Sequence, residues 1–137
     1  MDKLIAWYTQ LSPESLAQIN QIYCADAHFK DPFNEVQGTA AIERIFRHMF
    51  EAMQAPRFVV DECVQQGCVA YVRWDFHFML RQRAYCIHGT SRFELAADGR
   101  VQDHRDYWDT GQELLQKLPF VGVIFRQLGK RFATPQV

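Results

Sequence analysis

The chain has 137 residues, a length that suits one domain with a single continuous core and excludes two. Its 15 Lys and Arg against 16 Asp and Glu give a formal net charge of -1, so no overall positive charge is available to hold a nucleic acid. A hydrophobic fraction of 48% and an aromatic fraction of 14% exclude a disordered chain and supply aromatic surface for a core or a ligand.

The start of the chain, MDKLIAWYTQ, has neither a basic first part nor a long apolar stretch, and no later apolar run is long enough to span a membrane. We therefore expect no signal peptide, no membrane span and a cytoplasmic location. The chain has four cysteines, namely Cys24, Cys63, Cys68 and Cys86. Because none of their spacings is CxxC, we expect neither a zinc site nor a disulfide framework. They are expected to be reduced thiols without a role.

Two short helices come first in chain order. The first has apolar residues at helical spacing, namely Leu4, Trp7, Tyr8 and Leu11. A second helix is predicted from Ser12-Pro13-Glu14, which supplies an N-cap, a proline at the first helical position and an acid in the first turn. It is expected to end near Ala25-Asp26, before an extended piece, 28–31, whose last residue is kept from helical angles by Pro32.

The clearest predicted helix begins at Thr39 and is stopped by Pro56. Its apolar residues follow the i, i+3, i+4, i+7 pattern, namely Ile42, Ile45, Phe46, Met49, Phe50 and Met53. This pattern predicts one buried side along the whole helix.

From Arg57 the period of the apolar residues changes to two, which predicts four strands. The strands are expected over 58–64, around Val72 to Phe78, over 85–95 and over 101–108. The turns between them are expected at Gln66-Gly67, 81–83 and Asp98-Gly99. The predicted sheet is an antiparallel meander with one aromatic face.

The helical pattern returns after Gly111, is interrupted at Pro119 and continues with Arg126, Lys130 and Arg131 among apolar residues. We divide the single domain into a body over 4–110 and a helical tail over 111–137. The tail is both apolar and cationic, so three roles are open. In order of preference, they are closing a pocket, packing on a partner copy and lying on a membrane surface.

Helices followed by strands indicate an α+β fold in which a curved sheet wraps around three helices. A sheet curved in this way leaves a cone that is open at one end. Such a cone is a natural pocket for a ligand.

The segment YCADAHFKDPF, over 23–33, is followed by Gly38, an amphipathic helix, Arg92-Phe93, the run 98–101 and Tyr107-Trp108. This pattern resembles the ketosteroid isomerase branch of the nuclear transport factor two-like superfamily, and it is also similar to the SnoaL-like polyketide cyclases. The resemblance implies the cone-shaped α+β fold, which agrees with the layout above. It also implies a homodimer formed through the outer face of the sheet.

By this resemblance, the acid directly before proline, Asp31, stands at the position of the isomerase's general base. The tyrosine that donates to the oxyanion falls at Tyr8, with Trp7 as the competing register. The second donor of the isomerase, a protonated acid, falls at Gly89. Since this donor is missing, the pattern favours a different reaction or ligand in the same cone.

Alternation along the last strand places His104, Asp106 and Trp108 on one face. The resemblance puts Trp108 in the pocket, so His104 and Asp106 are expected there as a second acid/base element. The aromatic face and its neighbours give the expected ligand-binding residues, namely Trp74, Phe76, Phe78, Trp108, Phe33 and Ile87.

Each assignment has a structural alternative. Asp31 suits an Asx turn before proline, Tyr8 suits a core position, and His104 with Asp106 suits a network that fixes a strand end. The histidines have no mutual spacing typical of a metal site, so no metal and no cofactor are expected.

The first functional hypothesis is an isomerase, cyclase or lyase that uses acid/base catalysis on a small hydrophobic substrate. A protein that binds an apolar ligand without turnover is the second hypothesis, and a dimeric interaction module is the third. A homodimer through the polar and aromatic outer face of the sheet is expected, formed by Tyr71, Arg73, Asp75 and His77.

Overall fold

A computed structural model of the chain describes residues 1–108, so the predicted tail over 111–137 lies outside the described residues. The helices are α1 (Asp2–Thr9), a 3₁₀ turn (Glu14–Gln18), α2 (Ile19–Ile22) and α3 (Thr39–Ala52). The strands are β1 (Tyr23–Lys30), β2 (Glu35–Gln37), β3 (Gln54–Gln66), β4 (Val69–Leu80), β5 (Arg83–Leu95) and β6 (Val101–Tyr107). None of the helices in this part of the chain is long and apolar enough to cross a membrane.

The six strands form one curved sheet in the order β2-β1-β6-β5-β4-β3. The expected α+β class is confirmed, with a sheet that wraps around the helices and does not close. The sheet is mixed rather than wholly antiparallel, because β1 runs parallel to β6 while every other neighbouring pair is antiparallel. The sequence predicts helix for the first residues of β1 and an extended piece, 28–31, for its end.

The second predicted helix ends at Ile22, several residues earlier than expected. Tyr23 already pairs with Val101 of β6, and Ala27 and Phe29 are buried on alternate positions of the new strand. Backbone pairing with a distant strand therefore overrides the helical spacing of the local sequence.

Helix α3 packs its apolar side against the sheet, with Ile42, Ile45 and Phe46 buried. It begins after Gly38, whose φ of 96° lies in the left-handed region that glycine adopts without strain. The N–H of Gly38 donates to the carbonyl oxygen of Ala27 at 2.8 Å, which ties the start of the helix to β1.

Strands β4 and β5 pair without interruption from Val69 opposite Glu94 to Leu80 opposite Arg83. Alternate residues of β4 are buried on the inner face, namely Val72, Trp74, Phe76, Phe78 and Leu80. The residues between them, from Tyr71 to Met79, therefore lie on the outer face. The predicted aromatic face is thus present on the inner side of β4.

Candidate active site

An apolar cavity lies between α3 and the inner face of the sheet, with about 550 Å³ of empty space including its opening to solvent. Among residues 1–108, the charged residues that line it are Asp31 and Asp106. The remaining lining residues are apolar, namely Phe29, Ile45, Phe46, Met49, Met53, Phe58, Trp74, Phe76, Ile87 and Trp108.

Four of the six expected ligand-binding residues line this cavity, namely Trp74, Phe76, Ile87 and Trp108. Phe33 is not among the lining residues and packs edge-on against Trp108, with ring centroids 5.7 Å apart. Phe78 is also outside the lining and stacks on Tyr85.

Sequence reasoning assigned the α3 side of the cavity to the core. Ile45 and Met49 are spaced four residues apart, so one side of α3 carries both into the cavity, and Met53 lines it from the extended residue that follows the helix. The helical pattern contained this signal, but it does not distinguish a side chain that fills the core from one that lines a cavity.

Asp31 follows the end of β1, and its carboxylate closes a tight turn. The backbone N–H groups of Phe33 and Asn34 donate to Asp31 Oδ1 at 2.8 and 2.6 Å. The side-chain amide of Asn34 donates to both carboxylate oxygens at 3.2 Å. The Asx turn and the position in the cavity are therefore both present, because the turn holds the carboxylate against the cavity wall.

Burial raises the pKa of Asp31 from its usual value of 3.8 to about 6, and the negative charge of Asp106 adds to this effect. The hydrogen bonds from Phe33 and Asn34 act in the opposite direction, because they stabilise the charged carboxylate. A carboxyl group with this pKa takes up and releases a proton close to neutral pH, as a general acid or base must.

His104 and Asp106 lie two residues apart on β6, on its inner side. His104 is 1% exposed and lies behind the cavity, whereas Asp106 lines it. Nε2 of His104 is 2.6 Å from Oδ1 of Asp106. The hydroxyl of Ser91 donates to the same oxygen at 2.5 Å, and the indole N–H of Trp74 donates to Ser91 Oγ at 2.8 Å.

Two buried tyrosines continue this network beyond His104. Nδ1 of His104 lies 2.7 Å from the hydroxyl of Tyr23 and 3.1 Å from that of Tyr8, and the two hydroxyls are 2.5 Å apart. Burial raises the pKa of both tyrosines well above 10, so both hydroxyls keep their protons. Tyr23 was not among the expected site residues, because its spacing in the sequence fits an ordinary core position.

Donor and acceptor types give this chain of hydrogen bonds one direction. The indole N–H of Trp74 is only a donor, so Ser91 accepts from it and its own proton is directed to Asp106. Oδ1 of Asp106 accepts from Nε2–H of His104, which leaves Nδ1 to accept from Tyr23. Every member of the chain is then satisfied, and the network holds Oδ1 of Asp106 in place.

Tyr8 rather than Trp7 is directed toward the sheet. The indole of Trp7 donates to the backbone carbonyl of Ser15 at 3.0 Å, away from His104. Tyr8 lines a second, smaller cavity and not the one that contains Asp31. Its role as a donor to a substrate therefore stays a prediction, and its observed contacts are those of a group that positions His104.

Gly89, where the resemblance places an acid, lies opposite Trp74 in the pairing of β4 with β5. A Cβ atom at this position would lie 2.3 Å from Cη2 of the Trp74 ring. The indole thus occupies the space in which a longer side chain would stand, and its N–H is directed to Ser91.

A family model of the SnoaL-like domain matches residues 4–104. None of the curated proteins matches the chain. Among solved structures, an NTF2-like protein of unknown function from Burkholderia pseudomallei has 15% identity and a TM-score of 0.71, with 81% of this chain and 92% of that chain covered.

An LEH-like epoxide hydrolase from M. tuberculosis has 15% identity and a TM-score of 0.68, with 81% of this chain and 84% of that chain covered. A protein from Shewanella putrefaciens, described as a SnoaL-like polyketide cyclase, has 16% identity and a TM-score of 0.66, with 84% and 82% covered. At these identities the likeness establishes the cone-shaped fold.

Proposed function

The chain belongs to the SnoaL-like domain family, and from this premise we propose that it is an enzyme that moves a proton on a small apolar substrate. The substrate lies in the cavity between α3 and the sheet, and Asp31 takes the proton from a carbon next to a carbonyl group. Isomerisation, cyclisation and elimination all begin with this step.

The observation that supports this proposal most directly is the presence of two carboxyl groups in one apolar cavity. Two carboxylates that share a water-poor space disfavour each other's charge, so one of them holds a proton at a higher pH than usual. Burial is the main cause of the raised pKa of Asp31, about 6, and the charge of Asp106 adds to it. Asp31 is then the base near neutral pH, and Asp106 is the second acid/base group.

The hydrogen-bond network behind Asp106 suits its role as the second acid/base group. The hydrogen bonds from His104 and Ser91 both end on Oδ1. Neither of these hydrogen bonds engages Oδ2 of Asp106, and Asp106 lines the cavity. His104 acts as a positioning residue, because it touches Asp106 and the tyrosines but does not line the cavity.

A protein that binds an apolar ligand without turnover is the second candidate, and two observations favour it. The indole of Trp74 fills the space beside Gly89, where the resemblance places the second oxyanion donor. The hydroxyl of Tyr8 is engaged with Tyr23 and His104. Neither position 89 nor Tyr8 therefore offers a free donor to an enolate in the cavity.

The experiment measures the exchange of hydrogen for deuterium next to the carbonyl in a panel of small cyclic ketones, followed by NMR. We expect the protein to accelerate exchange for at least one ketone, and Asp31→Asn to lower the rate by about 10² to 10⁴-fold. The matched control is Asp103→Asn, which changes a carboxylate that contacts His28 and Arg92 rather than the cavity. Its exchange rate should equal that of the wild type.

The quenching of tryptophan fluorescence by the same ketones measures binding separately from exchange. Ketones that bind while exchange stays at the buffer rate would replace the enzyme proposal with the binding protein. Exchange that persists unchanged in Asp31→Asn would exclude Asp31 as the base.

A further inference from the structure

A cluster of side chains with metal-binding chemistry lies on the outer face of β4 and β5, on the opposite side of the sheet from the cavity. Asp75 is paired with His88, and His77 is paired with Cys86. Alternation along each strand places all four on one face, as two neighbouring cross-strand pairs.

Three of these side chains bring their ligand atoms close together. One carboxylate oxygen of Asp75, one ring nitrogen of His77 and Sγ of Cys86 all lie within 4.8 Å of one another. Sγ of Cys86 is 3.9 Å from Nε2 of His77. Bond lengths to zinc of about 2.0 to 2.3 Å separate neighbouring ligand atoms by about 3.5 Å, so small side-chain rotations close the site.

We propose that Asp75, His77 and Cys86 bind a zinc ion, with water in the fourth position. A thiolate, an imidazole and a carboxylate are the donors that zinc prefers, and a thiolate disfavours the hard cations magnesium and calcium. The thiolate and the carboxylate together balance the charge of the ion. This inference is independent of the proposed function, because none of the three residues lines the cavity.

The surroundings of Asp75 support its role as a ligand. Nδ1 of His88 lies 2.5 Å from Oδ1 of Asp75, and a histidine that donates to a carboxylate ligand fixes its orientation in metal sites. Asp75, His77 and Cys86 are each only half-buried in the single chain, so solvent reaches them there.

Arg57 lies opposite His77 on β3, and Arg73 is a cation within reach of Asp75. Nη1 of Arg73 lies 3.6 Å from Oδ1 of Asp75 but 2.6 Å from Oδ2 of Asp61. The shorter contact gives Arg73 a second carboxylate partner, so it can release Asp75 when a metal ion binds.

Titration of the reduced full-length protein with Co²⁺ tests the proposal, because cobalt reports its ligands in the absorption spectrum. We expect one ion per chain, a thiolate-to-cobalt charge-transfer band in the near ultraviolet, and displacement of that band by Zn²⁺. Cys86→Ser should abolish the band. His77→Ala and Asp75→Asn should each weaken Co²⁺ binding by about tenfold or more, since even partners outside the ligand set contribute that much.

The exposed cysteines provide matched controls. Cys63→Ser and Cys68→Ser should keep the charge-transfer band. His28→Ala should keep it as well, because His28 belongs to a different cluster, with Asp103 and Glu35. A wild-type protein without the band, or a band that survives Cys86→Ser and disappears in Cys68→Ser, would overturn the proposal. Because the first of these outcomes is measured on the wild type, the test does not depend on how the variants fold.

Discussion

The indole ring of Trp74 covers Gly89 so closely that a Cβ atom on the glycine would lie 2.3 Å from Cη2 of the ring. The two residues face each other across β4 and β5. A side chain at position 89 and the Trp74 ring therefore exclude each other. This pair separates the chain from the isomerase pattern, since the ring stands where the resemblance places an acid.

The first prediction concerns this pair. Gly89→Ala should lower the free energy of unfolding by about 1 to 3 kcal/mol, because the indole must leave its position and its hydrogen bond to Ser91. In the background of Trp74→Ala the same change should cost much less, since the obstructing ring is gone. Urea denaturation of the four proteins of this cycle measures the coupling. Equal costs in both backgrounds would contradict the interpretation.

The second prediction concerns the proton on Asp31. Carbon-detected NMR of the side-chain carboxyl should show titration with a pKa of about 6. Asp106→Asn should lower that pKa, because it removes a nearby negative charge, and Asn34→Ala should raise it, because it removes hydrogen bonds to the charged form. Shifts in the same direction in both variants would be inconsistent with these causes.

The third prediction concerns stability as a function of pH. The folded state holds the Asp31 proton more tightly than the unfolded chain does, because the pKa rises from 3.8 to about 6 on folding. The contribution of Asp31 to the free energy of unfolding is therefore fully present below pH 4, and it is lost as the pH rises through 6.

Asp31→Asn removes this dependence while its side-chain oxygen still accepts the hydrogen bonds of the turn. The free energy of unfolding of the variant minus that of the wild type should rise by up to about 3 kcal/mol from pH 4 to pH 7.5. Thermal and urea denaturation at both pH values measure this difference. A difference between the two proteins that does not change with pH would show that Asp31 titrates normally.

The fourth prediction compares the two tyrosines of the buried network. The hydroxyl of Tyr23 lies 2.7 Å from Nδ1 of His104 and also contacts the hydroxyl of Tyr8. Tyr8 is the last member of this hydrogen-bond network. Tyr23→Phe should therefore cost more stability than Tyr8→Phe, by about 1 kcal/mol, because it leaves Nδ1 with only the longer contact to Tyr8. Denaturation of the two single variants, which lose the same hydroxyl group, decides the order.

The fifth prediction concerns assembly through the outer face of the sheet. Val64 and Tyr71 are cross-strand partners there and are 64% and 47% exposed, which is unusual for large apolar side chains in neighbouring positions. We expect a homodimer with twice the chain mass of 16.1 kDa in light scattering. Tyr71→Asp should shift the mass to that of one chain. A wild-type mass near 16.1 kDa at micromolar concentration would count against the dimer.

Several features of the protein were predictable from short stretches of sequence. The start of α3 at Thr39 and the alternation from Val72 to Phe78 depend on the period of the apolar residues, which the local backbone geometry sets. The turn at Asp31 and Pro32 follows from the side chain that accepts the backbone N–H groups of the next residues. Local patterns of this kind need no knowledge of distant contacts.

Tertiary structure alone decided which distant residues meet. The parallel pairing of β1 with β6 turned a predicted helix end into a strand and brought Tyr23 within 2.7 Å of His104, 81 residues later in the chain. Strand register likewise brought His77 opposite Cys86. Register is set by the sum of many weak contacts over the whole sheet, and residue spacing along the chain does not carry that information.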